Sequence, residues 1–246
     1  MLAFSPVHDA AIAAGSVVGW LAGLLTPLAG GVATAAAIVL FTIAVRLLIS
    51  PLTVAQVRAE RRRAALAPQL RQLQQRYAGD PATLQAELFA LYRAAGASPV
   101  AGCLPALLQA PFFLVMYRLF GTGDGAGGLL DARLAGVPLG WHLGDGLTPA
   151  VLLVFGVLLA ALAGLATVLS RRARRTAAPT GAPADQPGAA LLARVLPLLP
   201  YGTVLLALVV PLAAVLYLVT TTAWTVAEHV LLRRPQPVPA GAIDER

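Results

Sequence analysis

The stretch Val32-Ala-Thr-Ala-Ala-Ala-Ile-Val-Leu-Phe-Thr-Ile-Ala-Val-Arg46-Leu-Leu-Ile-Ser-Pro-Leu52 contains one charge in twenty-one residues. As a helix it reaches about 30 Å, the thickness of a bilayer's hydrocarbon core. Similar runs follow at 99–120, 148–169, 191–208 and 212–232. The uncharged run from Val195 to Ala227 is too long for one crossing, and Pro211 divides it. The remainder agrees: of 246 residues, 58% are hydrophobic and only 12% charged, about half the charge of an ordinary soluble domain. A water-soluble globule is excluded, and the chain reads as an all-α integral membrane protein with a five-transmembrane-helix bundle.

The formal charge is +7, and every basic residue is arginine. Fifteen of the eighteen arginines fall on one side if the segment after the first span is cytoplasmic; Arg118 and Arg133 remain on the other side or at its boundary. Basic residues accumulate in cytoplasmic loops, so the pattern predicts an N-out, C-in topology. The expected segments are an extracytoplasmic interfacial helix (1–31), a first span (32–54), a cytoplasmic helical hairpin (55–98) and a second span (99–120). An outer loop (121–147), a third span (148–169), a cytoplasmic loop (170–190), spans at 191–208 and 212–232, and a short cytoplasmic tail (233–246) complete the chain. In the run 10–28, Ser16, Gly19, Gly23, Thr26 and Gly30 recur at threes and fours, which suits an amphipathic helix on the outer surface; its length also permits a span.

Between 55 and 97 the composition turns to Arg, Gln and Ala, with Leu66, Leu70, Leu73, Tyr77 and then Leu84, Leu88, Leu91 spaced for a helical seam. Gly79, Asp80 and Pro81 supply a stop, a cap and a first turn between the two helices. Arg58, Arg61, Arg62 and Arg63 cluster just past the first span, where anionic lipid headgroups attract them. A topology anchor is the plain reading, and contact with a polyanion such as ribosomal RNA is the sharper one. No motif for reading DNA occurs.

Arg46 is the informative residue, because arginine at the centre of a spanning helix costs roughly 2.5–3.5 kcal/mol. Snorkelling to the inner headgroups would relieve some of that. A lone snorkelling arginine, however, needs no polar company, and here Thr42, Ser50 and Thr53 sit on its helix face. Tyr217, Thr221, Trp224 and Glu228 form a second polar-aromatic face on the last span, and Gln109 adds an amide to the second. Turned inward, these residues would line a water-accessible hollow in the inner leaflet. Pro105, Pro111, Pro197 and Pro200 break helix ladders, which membranes tolerate where neighbours or water satisfy the freed carbonyls.

Taken in order, Ile43-Ala-Val-Arg46-Leu-Leu-Ile-Ser-Pro51-Leu, the hairpin, Gly102-Cys-Leu-Pro105-Ala-Leu-Leu-Gln109-Ala-Pro111 and Pro211-Leu-Ala-Ala-Val-Leu-Tyr217 resemble the YidC/Oxa/Alb membrane protein insertases over nearly the whole chain. The resemblance implies five core helices around a hydrophilic groove open to the cytoplasm and lipid and sealed outside. By motif position Arg46, with Thr42 one turn away, would attract acidic or polar segments of nascent membrane proteins. It implies a place in the bacterial cell membrane, no enzyme activity and no cofactor, with the Sec translocon and the ribosome as further partners of a monomer. The chain departs from the family at Leu218, at Thr222 and Glu228, where an asparagine and a glutamine are usual, and at Ala213-Ala214; Glu228 is placed to pair with Arg46. The tail has one arginine against Asp244 and Glu245, which argues against docking to the ribosome through it.

Two other functional classes fit the residues less well. A small anion transporter or channel would use Arg46 for its solute, but transporters show matched repeats, and the hairpin has no counterpart later. For an enzyme or metal site, His8, His142, His229 and Cys103 have neither ligand spacing nor an adjacent base.

Overall fold

The computed structural model describes residues 5–95, 114–122, 127–177 and 195–232. Residues 99–113 of the span expected at 99–120, Gln109 among them, most of the cytoplasmic loop expected at 170–190, and the tail 233–246 lie outside them. Helix α1 (Ser5–Ala29) meets a 3-10 turn at Gly30–Val32, where Gly30 takes φ +53°, and α2 (Ala33–Ala65) follows. Glycine fits that left-handed junction because it lacks the Cβ that would clash. The α1 face formed by Ala11, Ala14, Val18 and Ala22 is buried, and the helix packs on α2 and on the turn at 118–122.

Helix α2 runs past residue 54 through Pro51 to Ala65, so the apolar span and the first arm of the hairpin share one continuous helix. Between Leu52 and Leu66 there is neither glycine nor proline, and the Ala, Arg, Gln and Glu found there are strong helix formers. After a turn at Leu66, α3 (Ala67–Arg76) packs against α4 (Pro81–Ala94). Asp80 caps α4 by accepting from Thr83 N at 3.1 Å and from the Thr83 hydroxyl. These two hydrogen bonds hold the Asp80 carboxyl below its ordinary pKa.

The described part of the loop before Pro149, residues 127–148, contains a small antiparallel ribbon, β1 (Arg133–Leu134) with β2 (Val137–Pro138), registered Leu134 to Val137. Its two-residue turn places Ala135 at φ 50° and Gly136 at φ 87°, the geometry of a type I′ hairpin. Alanine in that left-handed region costs about 1 kcal/mol. Ala135→Asn, giving the preferred Asn-Gly pair, is expected to recover most of this as a rise of a few degrees in the midpoint of a thermal melt in detergent.

Helix α5 (Pro149–Ala177) starts from Thr148, whose hydroxyl accepts from Val151 N. The short α6 (Leu199–Ala207) packs on it, with Tyr201 donating to Thr167 at 3.1 Å. Helix α7 (Leu212–Leu232) begins just after Pro211. Its first N–H groups, which no turn of the helix itself can satisfy, donate to the loop carbonyls of Trp141 (from Leu212) and Leu139 (from Ala213), both at 2.9 Å. The ribbon loop thereby plugs into the start of α7.

Burial on α2 and α7 is asymmetric along the bundle, while α5 remains buried as far as Ala166 and Ser170. At the ribbon end, Ala35, Ala37 and Ile38 of α2, Leu119 and Phe120, Val151, Phe155 and Leu162 of α5, and Leu212 to Leu218 of α7 form a closed core. Toward the hairpin, no α7 residue after Thr222 is buried, and none of α2 between Thr42 and Val57. Among the described residues, three stretches are long and apolar enough to cross a membrane: Val7–Arg58, Pro149–Arg174 and Leu212–Leu232. Outward leucines and valines such as Leu48, Leu153, Val157 and Leu205 are exposed, as lipid-facing residues are.

Candidate functional site

Helices α2 and α7 lie side by side, and their polar faces meet beside Thr222, the last buried residue of α7, where the less buried and more open half of these two helices begins. The Arg46 side chain, half-buried, reaches across to α7: Nε donates to Thr221 Oγ1 at 2.7 Å, and Nη2 donates to the same oxygen and, at 3.2 Å, to the Thr221 carbonyl. The guanidinium therefore lies between two helices instead of extending along its own toward the headgroups. Thr225 Oγ1 also donates to the Thr221 carbonyl, at 2.9 Å. Thr225 is a site residue that the sequence reading passed over, although its four-residue step from Thr221 was a usable signal.

One turn toward the hairpin, Ser50 Oγ is 3.0 Å from the Arg46 carbonyl and 3.0 Å from Glu228 Oε1. Glu228 thus contacts α2 through a serine, and the Arg46 guanidinium is taken by Thr221. Pro51, with no N–H of its own, cannot donate to the Leu47 carbonyl in this same turn.

The remaining expected residues divide. Tyr217 is on the α7 face but only 5% exposed. Trp224 lies between Thr221 and Glu228, and its indole Nε1 is buried with no hydrogen-bond partner among the described residues. Thr42, 2% exposed, gives its hydroxyl to the Ile38 carbonyl at 2.7 Å, so it belongs to the closed core and not to the open half. Arg58 is exposed on α2, and the backbone of Arg61, Arg62 and Arg63 continues the same helix. Among the described residues no three His, Cys, Asp or Glu side chains are placed to hold a metal. A cavity of about 520 Å³ lies at the other end of the bundle, between Gly30–Thr34 and the ribbon, away from Arg46.

The arrangement suits transient capture of polar peptide. A guanidinium held by neutral hydroxyl and carbonyl oxygens keeps its full charge, and a carboxylate makes stronger, charge-assisted hydrogen bonds to it than a threonine does.

Comparison with known proteins covers most of the chain. A family model described as "60Kd inner membrane protein" matches residues 25–238. Curated proteins named "Membrane protein insertase YidC" align over 83 residues, 34% of this chain. The protein from Chloroherpeton thalassium is 41% identical there, that from Wolinella succinogenes 42% and that from Helicobacter pylori 42%. The aligned stretch spans only 14%, 16% and 15% of those relatives' own lengths, respectively.

Proposed function

Because this chain belongs to the 60Kd inner membrane protein family, an all-helical family of membrane proteins, we propose that it is a membrane protein insertase and chaperone. In this reading it accepts polar or acidic segments of nascent membrane proteins at Arg46 and releases their apolar helices into lipid. The observation that carries it is the position of the Arg46 guanidinium, bonded across to Thr221 at the point where the packed core ends. The closed ribbon end would face outward and the open half the cytoplasm, giving N-out and C-in, with the arginine-rich hairpin inside. Helix α1 would lie at the outer face, with its exposed Trp20, Leu24 and Leu28 dipping into the headgroup boundary.

The work asked of the site is electrostatic. A carboxylate on a client tail faces a large penalty in hydrocarbon, and a fixed cation part-way across lowers it. Once the polar segment has moved inward, the client's apolar helix gains by sliding sideways into lipid. No bond is made or broken. Anionic lipids, and at the hairpin the ribosome or the Sec translocon, are the further partners this reading proposes.

The direct test is complementation: expression of this chain in insertase-depleted bacteria is expected to restore insertion of a single-span client with an acidic translocated tail. Failure at normal membrane levels would overturn the reading. Accessibility gives a second prediction. With Cys103 replaced by serine, Thr221→Cys is expected to react with a water-soluble maleimide from the cytoplasmic side at least about tenfold faster than Thr42→Cys, whose position is sealed. Equal protection of both would mean a dry bundle.

A further inference from the structure

Glu228 has no function in the reading above, and its surroundings suggest one. It sits one turn from the hairpin end of α7 (Leu212–Leu232), half-buried, with Oε1 held 3.0 Å from Ser50 Oγ of α2. The Ser50 hydroxyl has one hydrogen for two acceptors, Oε1 and the Arg46 carbonyl. It orients the carboxylate without neutralising it. Among the described residues Oε2 has no hydrogen bond, and no cation lies within ion-pair distance of Glu228, because Arg46 is bonded to Thr221. An acidic side chain at a spanning helix end is costly unless something offsets it; Arg46 acts on it only through space, so a positioned carboxylate with one oxygen open among the described residues suits a further cation.

The two charges are ordered along the bundle. Thr221, which holds Arg46, and Glu228 are seven residues apart on α7, a rise of about 10 Å. The positive charge is deeper and the negative charge nearer the hairpin. Arg58, the next described cation on α2, is about 12 Å of helix beyond Ser50, a little over a Debye length at physiological salt, so it screens the carboxylate only weakly.

We propose that Glu228 is a specificity-determining residue that holds the basic flank of a client helix at the cytoplasmic rim while Arg46 draws the acidic or polar end inward. The site then reads the sign of charge at both ends of an entering segment and orients it. The occupant is a Lys- or Arg-bearing peptide segment, chosen by charge complementarity to a carboxylate that Ser50 holds beyond the last buried residue of α7.

This inference rests on the insertase reading, and the experiment separates the two. Two single-span clients identical except for the flank that stays cytoplasmic, one with two lysines and the other with two glutamines, are expressed with the full chain in insertase-depleted cells. Protease protection reads insertion and orientation, and immunoblotting reads the membrane level of each variant. Glu228→Gln, which keeps an oxygen for Ser50, is expected to lower the ratio of correctly oriented lysine client to glutamine client about three- to tenfold. Ser50→Ala, which only releases the carboxylate, is expected to lower it less, and Glu228→Asp to restore part of it. Should the glutamine variant fail to accumulate, the ratio for Ser50→Ala against wild type decides. An unchanged ratio in accumulating variants overturns the inference, and failure of the wild-type chain to insert either client overturns the insertase reading itself.

Discussion

Arg46→Ala is expected to reduce insertion of clients with acidic translocated tails by roughly 10- to 100-fold, the equivalent of losing a hydrogen bond to a charged group worth about 1.5–3 kcal/mol. The protein itself should accumulate normally. The substitution removes the bonds to Thr221, but it also removes a charge that costs roughly 2.5–3.5 kcal/mol at the centre of a spanning helix, so the two changes nearly cancel in the fold. Arg46→Lys keeps the charge and loses the planar fork that grips Thr221 and a carboxylate together; it should retain intermediate activity. Insertion assayed by protease protection, beside membrane level by immunoblot, separates the outcomes. Wild-type insertion by an abundant alanine variant would show that the guanidinium does not draw clients, and a variant missing from the membrane would make Arg46 a structural residue.

The two polar faces were legible from spacing alone. Arg46 and Ser50 one turn apart, and Thr221, Trp224 and Glu228 at three and four, are what a helix needs to gather polar groups in one stripe, and the fold puts both stripes on the same α2–α7 contact. Which atoms would pair was not legible. Spacing left Arg46 and Glu228 as natural partners by charge, whereas in the fold Thr221 is level with Arg46 and Glu228 is level with Ser50. That one-turn register is set by the ribbon plug at the start of α7, a tertiary contact with no local signal. Thr42 shows the same limit. It shares a stripe with Arg46, but the closed core extends far enough along α2 to cover it.

The ribbon escaped the sequence reading for a different reason. Strands of two residues carry no alternating pattern, and their turn is Ala-Gly, not the Asn-Gly or Asp-Gly that marks such hairpins. The unbroken α2 was obscured because hydropathy ends a span where polarity begins, while a helix ends only where its backbone is interrupted, here at Leu66 before Pro68.

Phe155→Ala, at the ribbon end, is expected to cost about 2–3 kcal/mol of stability. The side chain is fully buried on α5. Its truncation leaves a void of roughly 100 Å³, which at about 24 cal/mol per Å³ gives that figure. The further transfer penalty of a soluble core is largely missing, because an unpacked helix still rests in hydrocarbon and lipid solvates its apolar surface as well as protein does. Leu48→Ala is the control for this argument. Leu48 is 80% exposed and touches lipid in both states, so its truncation should cost no more than about 0.5 kcal/mol. Unfolding by denaturing detergent in mixed micelles measures both. Equal costs would place Leu48 against protein and contradict an outward lipid-facing shell. The predicted inequality would locate the stability of the bundle in the sealed end, leaving the half around Arg46 free to part for an incoming segment without unfolding the rest.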